Sequence, residues 1–332
     1  MGSFVQPKVF LVGATGANVS GIIDYLKYTK QEEFLQDINT ALDSGISYAE
    51  VLCSLFAKLC YKSLVVGKNA NISKTREIKK NLEATYDAAH GSVFEHVGLN
   101  FLLTDVSRVL THEAVRHRVG TAFSQTSGRY CRLDSIDLVW DPILDPVKEL
   151  FDKCAKNIED TVYLAECKLG LRKPPERLSD NIKSLVEHNP LWWKYHSENG
   201  PAPELQWVPD NSFDFDKRKK ITSAIRRIAP NGQSNEIAMS INIRALRHIV
   251  QLRTAPGAEW EIRNVFAQVY HLVAAQYPTI FYKAKTRMID EQLQVYGMRL
   301  QPYEIEAGDP KALSFWTTAD LKAEVANREL AE

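Results

Sequence analysis

The sequence predicts a mixed α/β protein, and three observations carry that prediction. Apolar runs at Val9–Val12 and Val93–Val106 have the length and β-branched content of strands and are bounded by turn residues. Longer segments with apolar residues at helical spacing separate them. The 332 residues are 45% hydrophobic and 25% charged, the composition of a globular chain with a core and not of a disordered one. That length allows one large domain or two ordinary ones.

The elements follow in order. After the strand at Val9–Val12 comes a turn and a helix around Ile22–Tyr28, and the residues beyond also read as helical. A helical region from about Tyr48 to His90 is interrupted near Gly67–Asn71, where small and polar residues predict a turn. Ser107 is a good N-cap for a helix running to about Arg118. Thr121–Gly128 is rich in small and hydroxyl residues, has no period, and reads as a loop. A second strand is expected within Tyr130–Trp140, and an amphipathic helix over Pro146–Gly170. Six prolines and a Trp-Trp pair between about Lys173 and Phe215 predict an irregular insertion. Helices resume at Asp216–Ile228, a short apolar stretch covers Glu236–Ile241, and helices follow at Asn242–Leu252 and Ala258–Tyr277. The last fifty residues are polar and mixed, with Trp316 as an anchor.

Charge and cysteine usage narrow the function classes. Lys+Arg 41 against Asp+Glu 41 gives a formal net charge of zero, which excludes a surface that coats nucleic acid or an anionic membrane but allows a local basic pocket. No run approaches the eighteen or so apolar residues of a membrane helix, and the first residues lack the pattern of a signal peptide. A cytoplasmic protein with no membrane and no nucleic-acid partner is expected. Five cysteines with no CxxC argue against a disulfide framework or a thiolate zinc site.

Gly13 and Gly16 follow a strand and precede a helix, as in a dinucleotide fingerprint. Val19 stands where the third glycine of that fingerprint belongs, so a plain strand-to-helix turn is the better reading. His90, His96, His112 and His117 lack the four-residue spacing of a helical metal site, and no metal is expected.

Arg116-His117-Arg118 is followed by Ser124, Gln125, Thr126, Ser127, Gly128, Arg129 and Tyr130. Two arginines, hydroxyls, an amide and backbone donors make a cradle for a phosphate or other polyanion, although the arginines alone also fit a solvated helix end. Asn242, Arg244, Arg247, His248 and Gln251 recur at helical spacing, with Arg244, His248 and Gln251 on one face. Arg253 ends that helix, where the dipole favours a cation. Two distant segments rich in Arg, His and amide suggest one composite anionic site.

Together these residues resemble the signature of the flavin-dependent thymidylate synthases. The resemblance runs through His90, Phe94-Glu95-His96, Arg116-His117-Arg118 and Ser127-Gly128-Arg129-Tyr130. It continues through Arg226-Arg227-Ile228-Ala229-Pro230, Asn242-Ile243-Arg244, His248, Arg253 and Ala258-Glu259-Trp260-Glu261-Ile262-Arg263. The blocks stand in the family's order from about Cys60 to Ala284.

The resemblance implies a central sheet flanked by helices in one elaborated catalytic domain, assembled as a homotetramer with shared active sites. Its core would span about 48–286, with an insertion at about 173–215 and an extension at 287–332. It implies reductive methylation of dUMP to dTMP with FAD, using 5,10-methylenetetrahydrofolate and NADPH. By the same resemblance Ser92, Arg116, His117, Arg118, Asn242, Arg244 and His248 contact FAD. Glu113, Arg116, Gln125, Ser127, Gly128, Arg129 and Arg226 hold the nucleotide, and Arg253 pairs with the pyrimidine and favours its ionised form. No covalent nucleophile is expected, so Ser127 is read as a ligand contact and Cys131 as no nucleophile.

Three features depart from the family pattern. Eight residues separate Arg118 from Ser127 where the pattern has seven, with the extra one placed near Ala122. Glu113 stands where the family usually has glutamine and needs a neutralising arginine, for which Arg116 is the candidate. Gly257 replaces a side chain that some members use near flavin and folate. Two alternatives therefore stand beside dTMP synthesis: a flavoenzyme that methylates or hydroxymethylates another pyrimidine nucleotide, and a non-catalytic nucleotide- or flavin-binding relative.

Overall fold

The computed structural model describes residues 2–133, 135–174, 187–188, 190, 207–212, 214–298 and 300. In chain order the strands are β1 (Phe4–Val5), β2 (Lys8–Ala14), β3 (Gly98–Val106), β4 (Thr121–Gln125), β5 (Leu138–Val139), β6 (Arg172–Lys173), β7 (Val208–Pro209), β8 (Asn235–Asn242), β9 (Lys285–Ile289) and β10 (Gln292–Tyr296). The helices are α1 (Val19–Thr29), α2 (Phe34–Asp43), α3 (Tyr48–Cys60), α4 (Ile78–Asp87), α5 (Arg108–Ala114), α6 (Lys148–Lys168), α7 (Phe215–Ile225), α8 (Ile243–Arg253) and α9 (Trp260–Gln276). The chain divides into two compact units. The first comprises Met1–Gln6, Asp105–Val109 and Gln125–Glu236; the second comprises Pro7–Thr104, Leu110–Ser124 and Ile237–Glu332.

The second unit is built on a four-stranded sheet in the order β2-β3-β8-β4. Alternation explains its layering: Leu99, Phe101 and Leu103 of β3 and Ile237, Met239 and Ile241 of β8 are buried, while Asn100, Leu102 and Ser240 face outward. Helix α9 buries Ile262, Val265, Phe266, Val269 and Val273, and packs on β2 and α8. Helix α3 starts with a capping box in which Ser47 and Glu50 satisfy each other's backbone donors. The other oxygen of the buried Glu50 accepts from Thr279 N at 2.8 Å and Thr279 Oγ1 at 2.7 Å, so this carboxylate is fully hydrogen-bonded.

Strand β2 pairs antiparallel with β3, so the Gly13–Gly16 turn does not belong to a parallel βαβ unit. The β9–β10 hairpin closes the described part of this unit. It is tied to α8 and α9 by Arg263 Nη2 to Ile289 O at 2.8 Å, Gln292 Nε2 to Trp260 O at 2.8 Å, and Val295 N to Thr254 Oγ1 at 2.9 Å.

In the first unit β1 and β5 pair in parallel, and β6 and β7 antiparallel. Glu159 of α6 accepts from Ile136 N at 2.8 Å and Gly2 N at 3.2 Å, tying α6 to the segments that precede β1 and β5.

Five expectations need correction. Thr121–Gln125 is strand β4, not loop: a small hydroxyl-rich segment has no apolar period of its own, and its neighbour β8 supplies the ladder. Only Leu138–Val139 of Tyr130–Trp140 is strand, and Gly91–Phe94 is a 3-10 turn ahead of β3. The Tyr48–His90 region is two helices with a longer break than the turn expected. Helix α5 stops at Ala114, four residues short of Arg118, because its last bonds tighten: Arg116 N reaches Glu113 O and His117 N reaches Ala114 O. Most of the expected insertion, the tail beyond 300 and Trp316 lie outside the described residues.

Among the described residues, no helix is long and apolar enough to cross a membrane.

Candidate functional site

The second unit holds a cavity of about 440 Å³. Tyr86, Phe94, Val119, Ile249 and Leu300 give it apolar walls; Arg116, His117, Arg118, Asn242, Arg244 and His248 give it cations and polar edges. The tightened end of α5 carries Arg116-His117-Arg118 out of the helix and onto the cavity rim. Gly120 then turns the chain into β4 with φ +72°, and an added Cβ there would collide with the Asn242 side-chain amide. Only glycine meets both conditions. Asn242 caps α8, its side-chain oxygen accepting from Ala245 N at 2.8 Å, while its own N–H donates to Gly120 O at 2.9 Å.

Two carboxylates balance two of the arginines. Arg244 pairs with Glu95 on the exposed rim, above Gly91, where a Cβ would lie 2.7 Å from Arg244 Nε. Arg253 is more enclosed: its Nη1 donates to Glu113 Oε2 at 2.8 Å, its Nη2 to Glu113 O at 3.5 Å and its Nε to His117 Nε2 at 2.8 Å. The residue that neutralises Glu113 is therefore Arg253, and not Arg116. Among the described residues, no carboxylate forms an ion pair with Arg116 or Arg118.

The bond from Arg253 fixes the state of His117. A nitrogen that accepts from a guanidinium N–H carries no proton, so the ring is neutral with its hydrogen on Nδ1. Burial, then the charge of Arg253 and then His248, push its pKa down to about 4. Arg247, predicted within the polar stripe, lies in the buried part of the cavity wall, with its guanidinium carbon 4.2 Å from the Tyr86 ring centroid and Nη1 donating to Ile280 O.

Ser92 is exposed between two residues that line the cavity, Gly91 and Phe94. Of the predicted flavin contacts the structure thus places six, Arg116, His117, Arg118, Asn242, Arg244 and His248, on the cavity wall, with Ser92 beside it. Arg253 reaches that wall through His117.

Gln125, Ser127, Gly128, Arg129 and Arg226 belong to the first unit and do not line the cavity. They form a second basic feature. Ser127 O accepts from Tyr130 N and Cys131 N, and Ser127 Oγ accepts from Arg129 N at 3.4 Å, so a tight turn follows β4. A Cβ on Gly128 would lie 3.5 Å from Arg226 Cδ and 3.7 Å from Arg108 Nη2. Arg108 and Arg226 are thus side by side; burial first, and then the charge of Arg226, depress the Arg108 pKa. Nearby Tyr130 stacks on Phe215 at 6.1 Å, with Lys219 Nζ 5.1 Å from the Tyr130 ring centroid.

Sequence reasoning missed Arg108 and Lys219. The available signal for Arg108 was its place at the first residue of α5, where the helix dipole disfavours a cation. Among the described residues, no histidine or carboxylate hydrogen-bonds to Ser127 to activate it as a nucleophile.

A family model described as thymidylate synthase complementing protein matches residues 45–279, more than two thirds of the chain. Among curated proteins, the flavin-dependent thymidylate synthase of Clostridium tetani is 28% identical over 228 residues, covering 68% of this chain and 78% of that protein. That of Corynebacterium diphtheriae is 23% identical over 254 residues, covering 76% and 86%. That of Geobacter sulfurreducens is 24% identical over 233 residues, covering 70% and 80%.

Proposed function

The chain belongs to the thymidylate synthase complementing protein family, and from that premise we propose that it is a flavin-dependent thymidylate synthase that converts dUMP to dTMP. The proposal includes FAD as the flavin, 5,10-methylenetetrahydrofolate as one-carbon donor, NADPH as reductant, and a single cytoplasmic catalytic domain working as a homotetramer.

The observation that carries this reading is the cavity, with its aromatic and aliphatic walls and its surplus of cationic over anionic groups. Apolar walls suit a planar ring system, and arginines without carboxylate partners suit phosphate oxygens. Arg116, His117, Arg118, Asn242, Arg244 and His248 would hold FAD, with Ser92 at the edge; when bound, the flavin supplies the reducing equivalents. Arg116, Gln125, Ser127, Gly128, Arg129 and Arg226 would hold the nucleotide, with Glu113 contributing through Arg253, and we add Arg108 to that set for its phosphate.

Arg253 has a separate role in this reading. Methylation at C5 requires that carbon to become nucleophilic, and a fixed cation beside the N3 and O2 edge of the uracil stabilises the negative charge that develops. Such preorganised stabilisation amounts to about 3–4 kcal/mol for a single donor in a water-poor site. Arg253 suits this because three of its five N–H groups are engaged by Glu113 and His117, which leaves two for a ligand. In this reading the Glu113 carboxylate is neutralised by Arg253, which supports dUMP as the nucleotide.

The test is an absorbance spectrum of the purified protein for bound flavin, followed by incubation with dUMP, methylenetetrahydrofolate and NADPH. The expected outcome is flavin absorbance and formation of dTMP. Flavin without dTMP would favour a different pyrimidine product, and neither flavin nor dUMP binding would favour a non-catalytic relative.

A further inference from the structure

We propose that Glu113 is a positioning residue that acts through Arg253: its side chain and its own carbonyl grip one side of the guanidinium, His117 grips the other, and the remaining N–H groups are thereby aimed. This rests on the role given to Arg253 above and deepens it.

The geometry is that of a clamp. Glu113 Oε2 takes Nη1 at 2.8 Å, Glu113 O takes Nη2 at 3.5 Å, and His117 Nε2 takes Nε at 2.8 Å. Both gripping residues come from one short segment, the tightened end of α5, so the arginine is held by a single rigid stretch across 140 positions of sequence. The pair is shielded, with 18% of the Arg253 side chain and 28% of the Glu113 side chain exposed. Shielding weakens the screening that makes surface pairs ineffective. An unclamped arginine has many rotamers, of which few point to a given ligand edge. The clamp removes that search before any ligand arrives, and it compensates a charge that otherwise adds to Arg116, Arg118 and Arg244.

Glu113 therefore does not need to touch the substrate to matter for the reaction. A carboxylate that merely bound nucleotide would show itself in KM; one that aims Arg253 shows itself in kcat. The clamp also predicts that a neutral acceptor of the same shape keeps most of the function.

The experiment compares Glu113→Ala, Glu113→Gln, Arg253→Ala and the double variant Glu113→Ala/Arg253→Ala, each checked for fold by flavin absorbance and melting temperature. Expected are a fall in kcat of about a hundredfold for Glu113→Ala, the cost of about 1 Å of misplacement, with KM for dUMP within about threefold; recovery of most of that loss in Glu113→Gln; and a double variant no slower than Arg253→Ala alone. Losses that multiply in the double variant, or a KM effect with kcat intact, would overturn the proposal. Crystal structures of the wild type and Glu113→Ala give a reading independent of turnover. Arg253 is expected against Glu113 and His117 in the first and displaced from His117 in the second; an unmoved Arg253 overturns the clamp. If the wild type makes no dTMP, the functional reading fails, and the two structures still decide whether Glu113 holds the arginine.

Discussion

In the second unit each of two arginines leans on a carboxylate, Arg253 on Glu113 and Arg244 on Glu95. In the first unit Arg108 and Arg226 stand beside Gly128, and the Arg108 pKa is lowered by burial first and by the neighbouring Arg226 charge second. A paired arginine is held before any ligand comes and loses little freedom on binding. An arginine that stands beside a like charge gains more when an anion binds, so its gain comes on binding. The first arrangement suits a group that must be aimed; the second suits one that must capture a phosphate.

The sharpest way to break this contrast is to remove one arginine of each kind. Arg253→Ala is expected to lower turnover by about 10²–10³-fold while flavin absorbance is retained, measured by initial rates of dTMP formation. Near-normal rates would take Arg253 out of the activating role. Arg226→Ala is expected to weaken dUMP binding by about tenfold to a hundredfold, the value of a charge-assisted hydrogen bond, read by calorimetry. An unchanged affinity would mean that the repelling pair captures nothing.

Stability should divide the other way. Arg253→Ala strands Glu113 in a partly enclosed wall and is expected to cost about 1–3 kcal/mol. Arg226→Ala relieves repulsion at an exposed position and should leave stability within about 0.5 kcal/mol. Denaturant titration of both variants decides this, and equal losses would erase the distinction between the two regions.

Acid acts on this region through His117. Its pKa in the folded protein is about 4 against an ordinary 6.5, so between those values the unfolded chain binds the proton more readily. Its contribution is intact above about pH 6.5 and is lost as the pH falls from there through 4. In Arg253→Ala that acid sensitivity should shrink, because the second-largest cause of the shift is gone.

The legible parts of this chain are those whose signal is local. Strand β2 and helices α8 and α9 stand out because apolar residues keep a period along them, whereas Glu236–Ile241 showed itself only as a short apolar stretch. Arg116-His117-Arg118 and Arg253 stand out because arginines and a histidine interrupt or end such periods. What stayed hidden depends on a partner far away in sequence. Thr121–Gln125 is a strand only because β8 lies next to it. The partner of Glu113 is 140 residues off, and the nearer arginine at i+3 was the natural but mistaken choice. Arg247 carries the same residue type as its neighbours on α8, and only burial on Tyr86 sets it apart.

The hairpin behind α8 has a consequence for where this protein can be cut. Thr254 follows Arg253 directly, and its hydroxyl is stitched to Val295 from both sides, while Met298 N donates to Gln251 Oε1 at 3.0 Å. The stretch that matches the family stops at 279, short of all these anchors. A chain trimmed to that boundary would keep every arginine discussed above and lose the splint on the turn of helix that bears Arg253. The minimal competent protein therefore extends at least through Met298.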